Sequence, residues 1–265
     1  MIEGARRVGK SYIVEAFARE AYRSYIMIDL SYMPKALQAV FDDYLNDIPM
    51  FLSLLQNVTG TQLYERESLI VFDEVQAYPK ARQAIKHLVA DGRYDYIETG
   101  SLVGIMENTQ GILLPSEERT VKMYPMDFEE FLWAMGDEMT MPFARMCFEG
   151  NKPMGPMHRK TMELFRQYLI VGGMPQAVEA YLEGKNFSEI DQVKRQIISL
   201  YEEDFKKIDP SGRISSLYHS IPAQLAKDSR KYRITTAIGK RNNTKAEEFL
   251  YELIDSKTVL PCYNS

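Results

Sequence analysis

The chain has 265 residues, of which 45% are hydrophobic and 26% are charged, and its formal net charge is −5. This composition is typical of a soluble globular protein with a sizeable core, in one large domain or two ordinary ones. The two cysteines, Cys147 and Cys262, lie far apart, so the sequence has no disulfide framework. The histidines are scattered, and no group of residues has the spacing of metal ligands. No apolar run has the length of a membrane span and no signal peptide precedes the first motif, so we expect a cytoplasmic protein without membrane contact.

The first motif lies between Gly4 and Ser11 and fits the phosphate-binding pattern G-x-x-x-x-G-K-[ST]. Its two glycines allow a tight turn that brings backbone N–H groups close to an anion. Lys10 supplies a charge for the β- and γ-phosphates, and Ser11 supplies a hydroxyl for Mg²⁺. A helix predicted over residues 11–18 directs its positive N-terminal end at the phosphates. We therefore assign nucleotide binding to nine consecutive residues, namely Gly4, Ala5, Arg6, Arg7, Val8, Gly9, Lys10, Ser11 and Tyr12.

The chain on either side of this loop predicts strands that alternate with helices. Only three residues precede Gly4, so we expect either a very short first strand or a chain that is truncated at this end. An apolar run within residues 23–30 predicts the second strand. Residues 34–55 have helical periodicity with a break near Pro49, and residues 57–61 predict a loop.

A second motif follows a predicted buried strand. Four apolar residues, Leu69 to Phe72, suit a strand that is covered on both faces, and Asp73 and Glu74 come directly after it. Adjacent carboxylates at such a strand end are costly unless they have a function. After a phosphate-binding loop they predict that Asp73 holds Mg²⁺ together with Ser11, and that Glu74 orients and polarises the attacking water. The alternative is a strand end that meets solvent with two surface acids.

Two further polar residues are predicted at strands of the same sheet. After a helix over residues 79–90, a strand over residues 94–99 ends in Thr99-Gly100-Ser101. The hydroxyls of Thr99 and Ser101 would lie between the two motifs and sense the γ-phosphate or position water, unless the segment is a plain turn. Arg119 begins a predicted strand over residues 119–124 and would approach a phosphate, unless it is a surface or ion-pair residue. We therefore assign catalysis to Glu74, Lys10, Thr99 and Arg119.

The middle of the chain is predicted to be helical. Asp127 and Glu130 have the spacing of a capping box, so a helix is expected to begin there. Residues 135–157 are rich in Met, Gly and Pro and predict a linker or domain joint. Two or three helices are predicted after it, over residues 160–171, 176–183 and 188–207.

The C-terminal part carries positive charge in an acidic chain. Residues 213–245 contain eight Lys or Arg against one acid, Asp228, an excess of seven positive charges. Helices predicted over residues 214–226 and 244–257 and a strand over 259–263 have the order of a winged helix. Two interpretations of this stretch stay open, namely weak nucleic-acid binding and a solvated basic face that docks the lid or an acidic protein partner. The basic residues are Arg213, Lys227, Arg230, Lys231, Arg233, Lys240, Arg241 and Lys245.

These motifs together make the chain resemble the prokaryotic AAA-like P-loop ATPases that carry a C-terminal domain of unknown function, often likened to a restriction-type nuclease fold. The resemblance implies an ATPase core of the additional-strand, catalytic-glutamate type, followed by a helical lid and a winged-helix-like region. It implies that Lys10 and Ser11 bind nucleotide and Mg²⁺, that Asp73 is the metal acid and that Glu74 activates water. Against that pattern the first strand is cut short and most of the C-terminal domain is absent. The matching stretches are residues 4–11, 72–76, 99–101, 124–132 and 168–175.

The sequence therefore predicts an α/β fold, with the parallel sheet of a P-loop NTPase flanked by helices and followed by a helical lid and a winged-helix-like region. The predicted boundaries are an ATPase core over residues 1–135, a lid over 136–212 and the winged-helix-like region with the start of a further domain over 213–265. The predicted function is ATP binding and Mg²⁺-dependent hydrolysis, with an oligomer or protein partner to supply any arginine in trans. Two alternatives stay open, a nucleotide-gated interaction module with negligible turnover and a DNA-binding regulator.

Overall fold

The computed structural model describes residues 1–101, 118–227, 232–234, 236 and 243–262. The chain divides into two compact units. We call the first the sheet unit, which comprises Met1–Ala5, Gly9–Met123 and Arg213–Ser265. The second is the helical unit, which comprises Arg6–Val8 and Tyr124–Gly212.

The sheet unit is built on five strands in the order β2-β3-β4-β1-β5, and all neighbouring strands are parallel. The strands are β1 (Ile2–Gly4), β2 (Ser24–Asp29), β3 (Ser68–Asp73), β4 (Asp95–Ser101) and β5 (Val121–Met123). The order places β4 between β1 and β3, as expected for an ATPase core with an additional strand. The predicted parallel sheet flanked by helices is thus confirmed.

Helices follow most of the strands and supply the second unit. They are α1 (Lys10–Ala21), α2 (Lys35–Tyr44), α3 (Ile48–Thr59), α4 (Pro79–Asp91), α5 (Phe128–Ala134), α6 (Thr140–Glu149), α7 (Met157–Val171), α8 (Pro175–Leu182), α9 (Phe187–Ile208), α10 (Arg213–Leu225) and α11 (Asn243–Asp255). A short 3₁₀ helix over Val75–Ala77 follows β3.

The central strand β3 explains why helices cover both faces of the sheet. All of its residues are buried. Ile70 and Phe72 point into the larger core, which contains residues of α2, α3 and α4. Leu69 and Val71 point to the other face and pack against Val14 and Ala18 of α1. Since successive side chains of a strand alternate between faces, an unbroken apolar run is needed where both faces are covered.

The break predicted near Pro49 separates α2 from α3. Asp47 caps α3 by accepting a hydrogen bond from the Met50 N–H at 3.2 Å, and Pro49 lies in the first turn, where its missing donor is tolerated. The loop predicted over residues 57–61 is only partly correct, because α3 continues to Thr59. Gly60 ends the helix with a φ of 66°, a conformation that glycine adopts without strain.

The helical unit has its own core, formed mainly by α5, α7 and α8. Its centre is Phe131, which is fully buried with residues such as Val171 and Val178. The capping box predicted for α5 is present, since the side chains of Asp127 and Glu130 each accept the other's backbone N–H. It fixes the first turn of the helix and so the direction in which Phe131 enters the core.

The linker predicted over residues 135–157 is wrong in part, because the ten-residue helix α6 lies within it. Asp137 nucleates this helix: its carboxylate accepts hydrogen bonds from the backbone N–H of Thr140 at 2.9 Å and from its hydroxyl at 2.7 Å. The buried side chains of Thr140 and Cys147 then anchor α6. Composition alone predicted a joint, whereas local capping and packing favour a helix.

The C-terminal helices α10 and α11 lie close to the two that the sequence predicts. Residues 259–262 form no strand, so the winged-helix pattern lacks this element in the described part of its range. Four of the eight basic residues of the stretch lie outside the described residues, namely Arg230, Lys231, Lys240 and Arg241. Within the described part, the backbone N–H of Arg233 donates to the Gln224 side chain at 2.6 Å.

Candidate nucleotide-binding site

The carboxyl ends of β1, β3 and β4 meet at one edge of the sheet. Gly4 ends β1, Asp73 ends β3 and Ser101 ends β4. In open sheets with parallel strands, ligands bind in the crevice outside the carboxyl ends of the strands. The strand order therefore brings both sequence motifs and the Thr99-Gly100-Ser101 segment to the same edge.

The phosphate-binding loop turns sharply into α1. Gly9 precedes the helix with a φ of 97°, a left-handed conformation that favours glycine. The Lys10 side chain is only 5% exposed. Its ammonium donates to the carbonyl oxygens of Gly4 at 3.2 Å and Ala5 at 3.1 Å. These bonds hold a positive charge at the N-terminal end of α1, where the helix dipole also favours an anion.

Asp73 is the centre of a hydrogen-bonded group of hydroxyls. The Ser11 hydroxyl lies 2.9 Å from each carboxylate oxygen of Asp73. The Thr99 hydroxyl donates to the same carboxylate. Asp73 and Thr99 are buried, at 8% and 0% exposure. A hydroxyl and a carboxylate in contact form the oxygen-rich ligand set that suits Mg²⁺, so Ser11 and Asp73 can hold this ion.

Glu74 has an unusual backbone conformation directly after β3. Its φ of 55° and ψ of 48° are left-handed, which is uncommon for a residue other than glycine. Its backbone N–H donates to the Thr99 hydroxyl at 3.2 Å. Its carboxylate accepts a hydrogen bond from the Gln76 amide, which also donates to the Ser101 hydroxyl at 3.2 Å. The sequence predicted a role between the two motifs for the hydroxyls of Thr99 and Ser101, but it assigned no function to Gln76.

The remaining residues of the loop have other surroundings. Arg6 to Val8 fall in the helical unit, where the Arg6 guanidinium pairs with Asp204 of α9 at 3.2 Å. The Tyr201 hydroxyl of α9 donates to the Arg6 carbonyl at 2.8 Å. Val8 is buried, and Tyr12 is 80% exposed at the start of α1.

Arg119 is not brought to this edge, so its predicted approach to a phosphate has no support in the geometry. It precedes β5, and its carbonyl accepts a hydrogen bond from the amino group of Met1 at 3.0 Å. Since β1 and β5 are parallel with Ile2 beside Val121, Arg119 lies at the amino end of the strands. Its side chain is exposed there. The sequence predicted the strand β5. Only the register between β1 and β5 shows that Arg119 lies at the end of the strand away from the phosphate-binding loop.

A second polar cluster lies in the interior of the sheet unit, and the sequence analysis missed it. Arg82 of α4 is 2% exposed and pairs with Glu118 at 3.3 Å. Glu98 of β4 is also buried. Burial raises the pKa of the Glu98 carboxyl to about 7, an effect that Arg82 and the chain's amino group partly offset and Glu118 reinforces. The sequence feature that could have predicted this cluster is the single arginine, Arg82, among the apolar residues on one face of α4.

Two kinds of feature are absent from the described residues. None of their Cys, His, Asp and Glu side chains gather in threes around a point where a metal would sit. Their helices also lack the combination of length and apolar content that a membrane crossing needs.

Two known sequence families match parts of this chain. A sequence model of the AAA domain matches residues 1–132, and one of a domain of unknown function (DUF8612) matches residues 162–265. Among solved structures, the Orc1 protein of Aeropyrum pernix in complex with DNA matches with 10% identity and a TM-score of 0.33, over 96% of this chain and 76% of that one. None of the curated proteins matches the chain. Residues 1–132 of this chain thus match an AAA domain, and residues 162–265 match a domain of unknown function.

Proposed function

We propose that this chain binds ATP with Mg²⁺ and hydrolyses it, and that turnover is coupled to a change in conformation. The observation that carries the proposal is the meeting of Lys10, Ser11, Asp73, Glu74 and Thr99 at one edge of the sheet. These residues provide a cation, a hydroxyl, two carboxylates and a further hydroxyl, which are the groups that phosphoryl transfer needs from a protein.

The binding part of the mechanism belongs to the loop and α1. The Lys10 ammonium would exchange its carbonyl partners for the β- and γ-phosphate oxygens, and the N–H groups at the start of α1 would donate to the same phosphates. Ser11 and Asp73 would hold Mg²⁺, whose charge offsets that of the phosphates. Tyr12, at the exposed start of α1, would contact the nucleotide beyond the phosphates.

The chemical part depends on Glu74. In hydrolysis the oxygen of water bonds to the γ-phosphorus, the bond to the β–γ bridging oxygen breaks and ADP leaves. Glu74 would orient the water and accept its proton, because a carboxylate can act as a general base at neutral pH. Thr99 would position Asp73 and the backbone of Glu74 through its two hydrogen bonds.

We also propose functions for the lid and the basic stretch and a role for a partner, all of them based on the sequence. A helical lid over residues 136–212 would move with the state of the nucleotide, and an oligomer or protein partner would supply an arginine in trans. Weak nucleic-acid binding by the basic stretch would weaken with salt, with a slope of about −0.9 per phosphate contact. Binding that is indifferent to salt would instead favour a face for an acidic protein partner.

The decisive experiment is a calorimetric titration of the natural chain and the Lys10→Ala variant with ATP and Mg²⁺. We expect Lys10→Ala to weaken binding about 10- to 100-fold, since hydrogen bonds to charged groups contribute about 1.5–3 kcal/mol. Lys86→Ala, which removes an exposed lysine of α4, is the matched control and should bind as the natural chain does. Unchanged affinity in Lys10→Ala would remove the nucleotide-site assignment.

Phosphate release by the same proteins separates the two functional classes. Release by the natural chain supports hydrolysis. Tight binding without release supports the alternative, a nucleotide-gated interaction module with negligible turnover, because such a module needs the loop but not a general base.

A further inference from the structure

We propose that Gln76 is the positioning residue of the reaction, because it holds the Glu74 carboxylate at the place where water is activated. The inference rests on the proposed ATP hydrolysis and deepens it by adding a residue that acts through Glu74. Gln76 lies in the 3₁₀ helix directly after Glu74, at the carboxyl edge of the sheet.

The contacts of the Gln76 side chain connect the acid to the neighbouring strand. Its amide nitrogen donates to Oε2 of Glu74 and to the Ser101 hydroxyl, the latter at 3.2 Å. A side-chain amide carries two N–H donors. Both are therefore used, one on the acid and one on β4, so that the strand fixes the amide and the amide fixes the carboxylate.

Strand β4 supports Glu74 at two points. Thr99 and Ser101 are two residues apart and lie on the same face of the strand. The Thr99 hydroxyl accepts the backbone N–H of Glu74 at 3.2 Å, and the Ser101 hydroxyl accepts the amide of Gln76. The backbone of Glu74 and its carboxylate are thus both tied to the strand between the two motifs.

The left-handed backbone of Glu74 makes this arrangement possible. With a φ of 55° and a ψ of 48°, the chain turns at Glu74. The turn directs the chain into Val75–Ala77, where Gln76 faces back to the carboxylate that precedes it. Sparsely populated conformations of this kind persist where the surroundings determine them, and they are common at functional sites.

The chemistry of an amide suits this task better than that of a cation. A lysine or arginine beside a carboxylate favours its charged form and weakens it as a proton acceptor. A neutral amide orients the same carboxylate without an added positive charge. Gln76 therefore constrains the direction of Glu74 without placing a positive charge beside it.

The test compares ATP hydrolysis by the natural chain with that of Gln76→Met, which keeps the length of the side chain and removes both donors. We expect kcat to fall about 10- to 100-fold, because a displacement of about 1 Å at a reacting group costs up to about 10²-fold in rate. The affinity for ATP and the melting temperature should stay unchanged. Gln38→Met, on the exposed side of α2, is the matched control and should leave kcat unchanged.

A second variant and a double variant separate positioning from a general structural effect. In Gln76→Glu the new carboxyl group donates a hydrogen bond only when it is protonated, so its kcat relative to the natural chain should rise as the pH falls. In Gln76→Met this ratio should not change with pH. Combined with Glu74→Gln, Gln76→Met should cause no further loss, since a residue that acts only through Glu74 has nothing left to position.

The outcomes are distinguishable. If the natural chain hydrolyses ATP and Gln76→Met matches it, Gln76 is not a positioning residue, although the proposed function stands. A full further loss in the double variant also overturns the inference, because Gln76 would then act independently of Glu74. If the natural chain binds ATP but does not hydrolyse it, the proposed hydrolysis and the inference fail together.

Discussion

Strand β4 carries two polar clusters that differ in how they hold their carboxylates. Thr99 takes part in the cluster at the carboxyl edge, whereas Glu98, the preceding residue, points to the opposite face and into the interior. At the edge, Asp73 and Glu74 accept hydrogen bonds from hydroxyl and amide groups. In the interior, the guanidinium of Arg82 pairs with Glu118 and acts electrostatically on the buried carboxyl of Glu98.

The interior cluster contains several buried polar atoms that accept or donate no hydrogen bond in the part of the chain that the structure describes. Among the described residues, Nε of Arg82, Oε1 of Glu98 and Oε2 of Glu118 are buried without a hydrogen-bond partner. At the edge, Thr99 donates to Asp73 and accepts from the Glu74 backbone. The comparison teaches that neutral donors can orient a carboxylate and still leave that carboxylate available for a ligand. A buried cation instead fixes its acids to itself, so its effect is expected on stability.

The largest effect by which the two clusters should differ is the loss of catalytic rate when an acid of the edge cluster is replaced. Glu74→Gln keeps the size of the side chain but cannot accept a proton, so kcat for ATP hydrolysis should fall by about 10²–10⁴. Affinity for ATP and thermal stability should remain those of the natural chain, as measured by titration and calorimetric melting. Equal rates in the two proteins would show that Glu74 is not the base.

The corresponding change in the interior should act on stability alone. Arg82→Met leaves buried carboxylates without their cation, and removing one partner of a buried pair costs about 3–5 kcal/mol of the free energy of unfolding. Urea denaturation measures this loss. The matched control is Arg23→Met, whose pair with Glu67 is more than half exposed and should contribute at most about 1 kcal/mol. A loss no greater than that of the control would show that the buried pair of Arg82 contributes no more to stability than an exposed ion pair.

The smallest effect concerns the pH dependence that Glu98 brings. Its pKa is raised from 4.5 to about 7 in the folded chain, so the folded state binds more protons than the unfolded state between these values. The stability from this group is fully present below about pH 4.5 and is lost as the pH rises through about 7, a change of about 3 kcal/mol.

Glu98→Gln should remove the pH-dependent part of the stability that comes from Glu98. Between pH 4.5 and pH 7.5 the natural chain should therefore lose stability relative to the variant. Urea midpoints at both pH values measure it. Glu20→Gln, which changes an exposed acid of α1, is the matched control and should show no such trend. A pH-independent difference for Glu98→Gln would mean that the buried carboxyl titrates normally.

Much of the fold follows from local patterns in the sequence. The apolar run before Asp73, the capping box of Asp127 and Glu130 and the glycine-rich loop each depend on residues within a few positions of one another. Such patterns determine strand, helix start and turn wherever packing does not oppose them. Where the local pattern was compositional only, as over residues 135–157, the prediction missed a helix that Asp137 starts.

Only the tertiary structure decided which polar residues meet. The placement of β4 between β1 and β3 brings Thr99 to Asp73, 26 residues earlier in the chain, and Ser101 to Gln76. The register of β5 keeps Arg119 at the amino end of the strands. The burial of Arg82 with Glu98 depends on how α4 packs on the sheet. Sequence spacing determines the side chains that an element presents, but strand order and register determine their neighbours, because parallel strands join residues that are distant in the chain.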